Sequence, residues 1–340
     1  MRISRDYSLL AHNTFGIDVQ CACFAEYDNA DELRELLHAY MNNELPLPLL
    51  HIGSGANLLF VGDFAGTILH SAIRGFEVVE QTADTVLLRI GAGENWDDVV
   101  AHTLDCGYYG LENLSFIPSE VGAAAVQNIG AYGTEIEQFV ERVEGVSIQG
   151  KTQTYTHEKC TYAYRSSLFK TLLKDRFFIT HVYLRLSRQF VPNLSYAALR
   201  RLVEEAGLDE NSVSAKDIRR LVVQFRSEKL PLPAETGSAG SFFINPVISS
   251  KAFQALQEAY PDIPHYDAPD GIKVPAGWLI DRAGWRGRCL GRAGVWSKQA
   301  LVLVNLGGAS GEEIVQLSQA IQADVYQKFG IRLNPEVNFV

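Results

Sequence analysis

Two glycine clusters hold the residues of this chain best suited to chemistry. The first, Gly53, Ser54, Gly55, Ala56 and Asn57, follows the apolar run LPLLHI and precedes the apolar pair Leu58 and Leu59. Glycines directly after a strand let backbone N–H groups approach an anion closely, and Ser54 and Asn57 add side-chain donors, which is what a pyrophosphate requires. The position three after Gly55 is Leu58, so the spacing is not the G-x-G-x-x-G of a Rossmann dinucleotide site. Taken alone, the cluster reads equally well as a tight turn. The second cluster, LENLSFIPSEVGAAAVQNIGAYG over residues 111–133, packs Gly122, Gly130 and Gly133 with small alanines and the uncharged donors Gln127 and Asn128. So little bulk in so long a stretch implies either a buried close-packed loop or a large ligand filling the space beside it. The hard chemistry then falls to a bound cofactor, because no protein-built metal site is in view. The 8 histidines form no H-E-x-x-H. Cys21, Cys23, Cys106, Cys160 and Cys289 offer only one C-x-C pair and read as buried reduced thiols.

The elements that must position these clusters alternate short strands with a few helices. Residues 28–42 place Leu33, Leu36, Leu37, Tyr40 and Met41 on one helical face with acids in the first turn. LPLLHI reads as a strand running into the first glycine turn. From Gly66 to Arg188 β-like runs dominate, including TVLLRIGAG and RFFITHVYLRLS, with one clear helix from Trp96 to Cys106 closed by Gly107. A helix carrying Ile218, Leu221, Val222 and Phe225 runs into the stretch KLPLP and marks a domain boundary. Beyond it, Ser249 or Ser250 caps a helix, LVLVNL is a buried strand, and Ser310 with Glu313 forms a capping box for a helix ended by Gly330. IRLNPEVNFV supplies a terminal strand. The class is α+β.

A chain of 340 residues with 47% hydrophobic content exceeds one core and predicts two or three domains. A net charge of -10 without any basic run argues against nucleic acid. No segment approaches the ~20 apolar residues of a membrane span or the core of a signal peptide. The expectation is a cytoplasmic protein with no membrane partner, and a monomer, because no external apolar stripe is apparent.

GSGANLLF and IPSEVGAAAVQNIGAYG resemble the two flavin-binding loops of the UDP-N-acetylenolpyruvoylglucosamine reductases. The resemblance continues in order through NTFGI (13–17), GAGENW (91–96), YRSSLFK (164–170), GSAGSFFINP (237–246), AGWLID (276–281), QALVLVN (299–305) and NPEV (334–337), so it covers essentially the whole chain. It implies a vanillyl-alcohol-oxidase or PCMH-type FAD-binding fold of two α+β subdomains plus a C-terminal α+β substrate domain. The expected divisions are 1–72, joined by the strand 331–340, then 73–214, then 215–330. It implies non-covalent FAD, NADPH as co-substrate and a UDP-sugar substrate. The FAD contacts it implies are Gly53, Ser54, Gly55, Ala56, Asn57 and Leu58 in the first loop. In the second they are Pro118, Ser119, Val121, Gly122, Ala123, Gln127, Asn128, Gly130, Ala131 and Tyr132.

The resemblance also implies three catalytic residues. Ser241, in A-G-S-F-F, matches the serine that protonates the substrate carbon. Arg165, in Y-R-S-S-L-F, matches the arginine beside flavin and substrate, and Glu336, in N-P-E-V, the glutamate that works with it. The set is chemically coherent, since hydride addition to an enolpyruvyl carboxylate builds an enediolate that needs a cation and a proton donor. Tyr196, Arg226, Lys229 and Asn245, and more weakly Tyr266 and Gln299, match substrate positions; Arg226 and Lys229 lie three apart at a helix end, where one face presents both charges. The chain departs from the commoner pattern at Ser119, Ala125 and Ile244, where glycine, proline and lysine are frequent. A flavin oxidase of the same fold, tethering flavin through a residue such as His51, and a non-catalytic flavin-binding module are the competing expectations.

Overall fold

In the computed structural model, which describes residues 1–340, the chain forms two compact units. The first comprises 1–7, 21–54 and 65–226, and the second 8–20, 55–64 and 227–340.

The first unit is built on two sheets. In the four-stranded sheet the order is Arg2–Ser8, Gln20–Tyr27, Phe64–Ser71, Leu49–Ile52, the last two running parallel. Helix α1 (Ala30–Met41), capped by the Asn29 side chain, buries Leu33, Leu36 and Leu37 against Cys23, Tyr27, Leu69 and Phe178. Tyr40 and Met41, expected on that face, lie in the last turn, half-buried and exposed. The five-stranded antiparallel sheet runs Thr152–Thr156, Val140–Ser147, Phe177–Ser187, Thr85–Gly91, Phe76–Gln81. Helices α2 (Trp96–Asp105) and α3 (Val121–Gln127) share its core, where Trp96 is wholly buried and donates its indole N–H to the Leu114 carbonyl at 2.9 Å. Helices α4 (Ala197–Glu205) and α5 (Ala215–Lys229) close a separate small core of Leu194, Leu199, Val203, Ile218, Leu221 and Val222.

The second unit carries a sheet ordered Gly237–Ser241, Val302–Asn305, Ala293–Val295, Cys289–Leu290. It also holds the three-stranded sheet Val247–Ile248, Gly271–Lys273, Tyr266–Ala268, with helices α6 (Ser250–Ala259) and α7 (Ala276–Arg282). Helix α8 (Gly311–Phe329) has the expected capping box at Ser310 and ends on Gly330 at φ 67°. Ser249 caps α6 through the Ala252 N–H. Residues 8–20 stitch into this unit: Asn305 Nδ2 donates to the Phe15 and Gly16 carbonyls at 3.0 and 3.2 Å, and Ser238 N–H to the Thr14 carbonyl at 2.8 Å.

Several expectations are corrected. The first compact unit runs on to Arg226 in the last turn of α5, past the expected division at 215. The chain's end does pair with a segment of the expected 1–72 subdomain, Asn338–Phe339 running parallel to Leu58–Leu59, but the strand is shorter than expected, since 331–337 is not strand. The thiols are not uniformly buried, since Cys106 and Cys289 are exposed. The second glycine cluster is a helix rather than a loop over 121–127, and α4 and α7 are helices the sequence pattern did not reveal.

Candidate cofactor and active site

In the first cluster, Gly53 lies against α3: a Cβ there would sit 3.0 Å from the Ala123 Cβ and 3.2 Å from Glu120 Oε2. The Ser54 hydroxyl is buried with no hydrogen-bond partner in the protein. A buried hydroxyl left unsatisfied is costly, so an acceptor on a bound ligand fits there. Gly55 stands at φ +69°, where a Cβ would fall 2.0 Å from the His12 carbonyl oxygen, so no other residue fits. Asn57 is engaged inside the second unit: Nδ2 donates to the Glu336 carbonyl at 3.3 Å, and its own carbonyl accepts the Asn338 N–H at 3.1 Å. Ala56 and Leu58 are half-buried beside it.

The small residues of the second cluster let α3 press onto the turn after the strand Thr85–Gly91. Val121 and Gly122 donate their N–H groups to the Glu94 and Ala92 carbonyls at 3.0 and 2.9 Å, and a Cβ on Gly122 would come within 2.9 Å of the Ala92 Cβ. Val121, Ala124 and Ala125 are buried in the core, while Ala123 and Gln127 are half-buried. Pro118 is exposed, and the buried Ser119 hydroxyl donates to the Glu120 carbonyl at 3.1 Å. Asn128, expected as a cofactor donor, is instead wholly buried. It accepts the Glu137 N–H and donates to Glu135 Oε2 and the Ala163 carbonyl at 3.2, 3.1 and 3.0 Å. It ties the hairpin Gly130–Ala131/Thr134–Glu135 to the turn that carries Arg165. Tyr132, at φ 49°, stacks edge-on with Tyr196 and Phe225, at 5.7 and 6.2 Å between centroids. A glycine and alanine surface at Gly53, Gly122 and Ala123, beside the orphaned Ser54 hydroxyl, suits FAD.

Glu120 was not singled out from the sequence. It sits at the N-cap of α3, but its carboxylate accepts from His70 Nε2 at 2.9 Å, while His70 Nδ1 meets Glu26 Oε2 at 2.9 Å. Glu26 in turn pairs with Arg2 at 3.0 Å. Donating from both ring nitrogens requires the imidazolium. Burial opposes that charge, yet the contacts with Glu120 and then Glu26 outweigh it and hold the His70 pKa above its ordinary 6.5. Below 6.5 folded and unfolded chains both carry the proton and the clamp stabilises fully; the stabilisation is lost as pH rises through the raised folded value. The thermal midpoint is therefore expected to fall on the alkaline side of neutrality, and His70→Gln to start lower and lack that alkaline decline. Parallel curves for parent and variant across pH 6 to 9 would sink the assignment.

Arg165 is the third residue of a tight turn in which Ala163 and Ser166 exchange backbone hydrogen bonds at 3.0 and 2.9 Å. Its φ of 55° is unusual for a non-glycine residue, and strain of this kind persists where the surroundings over-determine it. Nη2 donates to the Gly130 carbonyl at 2.9 Å, and its own carbonyl accepts from Lys170 Nζ at 3.0 Å. Nearby Glu135 has its carboxyl pushed up by burial and by Glu137, with Arg165 opposing.

The segments that carry Ser241 and Glu336 pair through their backbones. Glu336 N–H donates to the Phe242 carbonyl at 2.8 Å, Ile244 N–H to Asn334 at 2.9 Å, and Phe243 bridges Pro335. Ser241 is exposed, at the end of a strand whose register slips between Ser238 and Ser241, next to Gly240 at φ +69°. In the same unit Asn245 Oδ1 accepts the first N–H of α7, from Ala276, at 2.9 Å, and Gln299 Oε1 would lie 3.2 Å from a Cβ on Gly277. Tyr266 and Lys229 are exposed. Arg226 is half-buried: Nε donates to the Phe116 carbonyl at 3.0 Å, and burial pushes its guanidinium pKa down while hydrogen-bonded Tyr132 draws it back. His51 is half-buried, bonded through Nε2 to the Tyr27 hydroxyl at 2.9 Å and packed on Phe178; burial, then the nearby His70, lowers its pKa to about 3.

Comparison with known proteins gives two family matches. Residues 21–156 match the FAD binding domain, and residues 232–340 the C-terminal domain of UDP-N-acetylenolpyruvoylglucosamine reductase. The UDP-N-acetylenolpyruvoylglucosamine reductase of Bacteroides fragilis is 49% identical over 99% of this chain and 100% of its own, and that of Porphyromonas gingivalis 43% over 100% of both. Among solved structures, the Thermus caldophilus UDP-N-acetylenolpyruvylglucosamine reductase superposes with a TM-score of 0.69 at 23% identity, covering 100% of this chain and 99% of that one. The 6-hydroxy-D-nicotine oxidase of Arthrobacter nicotinovorans shares the fold at TM-score 0.57 and 14% identity, over 97% of this chain and 86% of its own. With both family models matched in order and close relatives along its full length, the chain belongs to the UDP-N-acetylenolpyruvoylglucosamine reductase family.

Proposed function

We propose that this chain uses NADPH to reduce the enolpyruvyl ether of UDP-N-acetylglucosamine enolpyruvate to the lactyl ether of UDP-N-acetylmuramate, a step in peptidoglycan precursor synthesis. It does so in the cytoplasm, as a monomer. Non-covalent FAD, when bound, relays hydride from NADPH to the substrate. The protein's own groups handle charge and protons. As hydride reaches the vinyl carbon, electron density moves into the carboxylate as an enediolate. The Arg165 guanidinium offsets that charge, and a preorganised cation does so at no reorganisation cost. The Ser241 hydroxyl gives its proton to the adjacent carbon, completing addition of one hydride and one proton. Glu336, whose own N–H pairs with the Phe242 carbonyl, orients the reacting carboxylate with Arg165. Tyr196, Arg226, Lys229, Asn245, Tyr266 and Gln299 hold the UDP-sugar.

The observation that supports this reading best is the pairing of segments 242–244 and 334–336, in which Glu336 bonds to Phe242, the residue after the exposed, glycine-flanked Ser241. An anaerobic experiment tests it. Protein reduced with NADPH is mixed with the enolpyruvyl UDP-sugar and the flavin absorbance followed. The expected result is prompt return of the oxidised spectrum with one lactyl product per flavin. A flavin that stays reduced until oxygen is admitted would replace this reading with the oxidase one.

A further inference from the structure

Asp97, in the first turn of α2, joins three distant parts of the first unit. Its carboxylate accepts the Phe116 N–H at 2.5 Å and both terminal nitrogens of Arg219 on α5, at 2.6 and 2.9 Å. Phe116 is held at φ 58°, a left-handed conformation that a bulky residue rarely adopts and keeps only when its neighbours impose it. The consequence lies on the other side of that residue, where the Phe116 carbonyl accepts Arg226 Nε at 3.0 Å. Arg226 is bonded on to Tyr132, which packs edge-on against Tyr196 and Phe225. One carboxylate thus holds the residue whose carbonyl orients the guanidinium and, through Arg219, the helix from which that guanidinium projects.

We infer that Asp97, with Arg219, is a positioning pair for Arg226, setting affinity for the substrate's diphosphate without touching the reacting atoms. The inference rests on the assignment of Arg226 to the UDP-sugar. A structural ion pair would affect stability alone; a positioning pair shifts substrate affinity and leaves the chemical step intact. It also makes Phe116 the weak point, because Asp97 is the side chain that takes up the N–H of this left-handed residue. Glycine adopts this conformation without penalty, so it compensates for a missing carboxylate.

The test follows reoxidation of the NADPH-reduced holoenzyme across substrate concentrations for Asp97→Asn, Arg226→Ala and the double variant Asp97→Asn/Phe116→Gly, with bound FAD and thermal midpoint recorded for each. Asp97→Asn is expected to raise the apparent Kd for the UDP-sugar about tenfold, the scale of a weakened charge-assisted contact, with the limiting rate within about twofold. Adding Phe116→Gly is expected to recover at least about threefold of that loss. An unchanged Kd in Asp97→Asn, alongside a raised one in Arg226→Ala, overturns the positioning inference and leaves Arg226 a substrate residue. A Kd rise that Phe116→Gly does not reduce also overturns it, since the pair would then act only on helix packing. An unchanged Kd in Arg226→Ala removes the substrate assignment itself. Should Asp97→Asn not fold, Arg219→Lys decides in its place: it keeps the charge and loses the two-pronged contact, so a severalfold higher Kd supports the inference and an unchanged one overturns it.

Discussion

Ser241→Ala is expected to leave reduction of the flavin by NADPH within about twofold of the parent while slowing its reoxidation by the enolpyruvyl sugar by ~10² to 10⁴, the usual contribution of a positioned general acid. The structure makes a folding explanation for such a loss untenable. Ser241 is exposed at a strand end beside Gly240, and the packing there is carried by its neighbours Phe242 and Phe243, which are essentially buried. Removing one hydroxyl leaves those contacts and the backbone bonds to Leu301 and Glu336 in place. A serine is a weak acid in water, so its use requires a strongly basic carbon formed directly beside it, as the enediolate is. Stopped-flow traces of the two half-reactions separate the steps. Equal reoxidation rates in parent and variant would mean that another group supplies the proton.

Arg165→Met is expected to slow the same half-reaction by ~10² to 10³, as removal of a preorganised donor to a developing oxyanion does, and Arg165→Lys to cost less because the charge remains. Neither change relieves or adds backbone strain, since Met and Lys meet the same penalty at φ 55° as Arg does. Both lose the guanidinium contact to the Gly130 carbonyl, worth about 1 to 3 kcal/mol of local order, so thermal midpoints should drop alike in the two variants while rates diverge. The divergence isolates charge from architecture. If Lys and Met variants reoxidised at the same rate, charge at this position would not matter and the role given to Arg165 would fall.

Local rules reached a good part of the fold. The capping box at Ser310 and Glu313, the Ser249 cap, the strand Leu49–Ile52 and the apolar face of α1 at Leu33, Leu36 and Leu37 all depend on residues a few positions apart. The first glycine turn was equally legible, because an apolar strand breaking into glycines leaves few backbone options. Helix α3 was not. At 7 residues it is too short to show a period or to form alone, and it exists because the Ala92 and Glu94 carbonyls capture its first N–H groups. α4 and α7 escaped notice as short elements do.

By itself, then, the sequence determined what is written in neighbouring residues: α+β elements with their caps, two glycine-rich segments fit for a large anionic cofactor, and the ordered motifs that place the chain in its family. Tertiary structure alone decided how distant side chains divide the work. It turned Asn128 from an expected cofactor donor into a buried tie between two loops. It made His51 a neutral, half-buried partner of Tyr27 and His70 a charged clamp, and it gave Asp97 and Phe116 a hold on Arg226. The physical reason is range: capping, periodicity and turn chemistry act within about one or two helical turns, whereas burial, charge pairing and hydrogen-bond satisfaction depend on which remote segments the fold brings within about 3 Å.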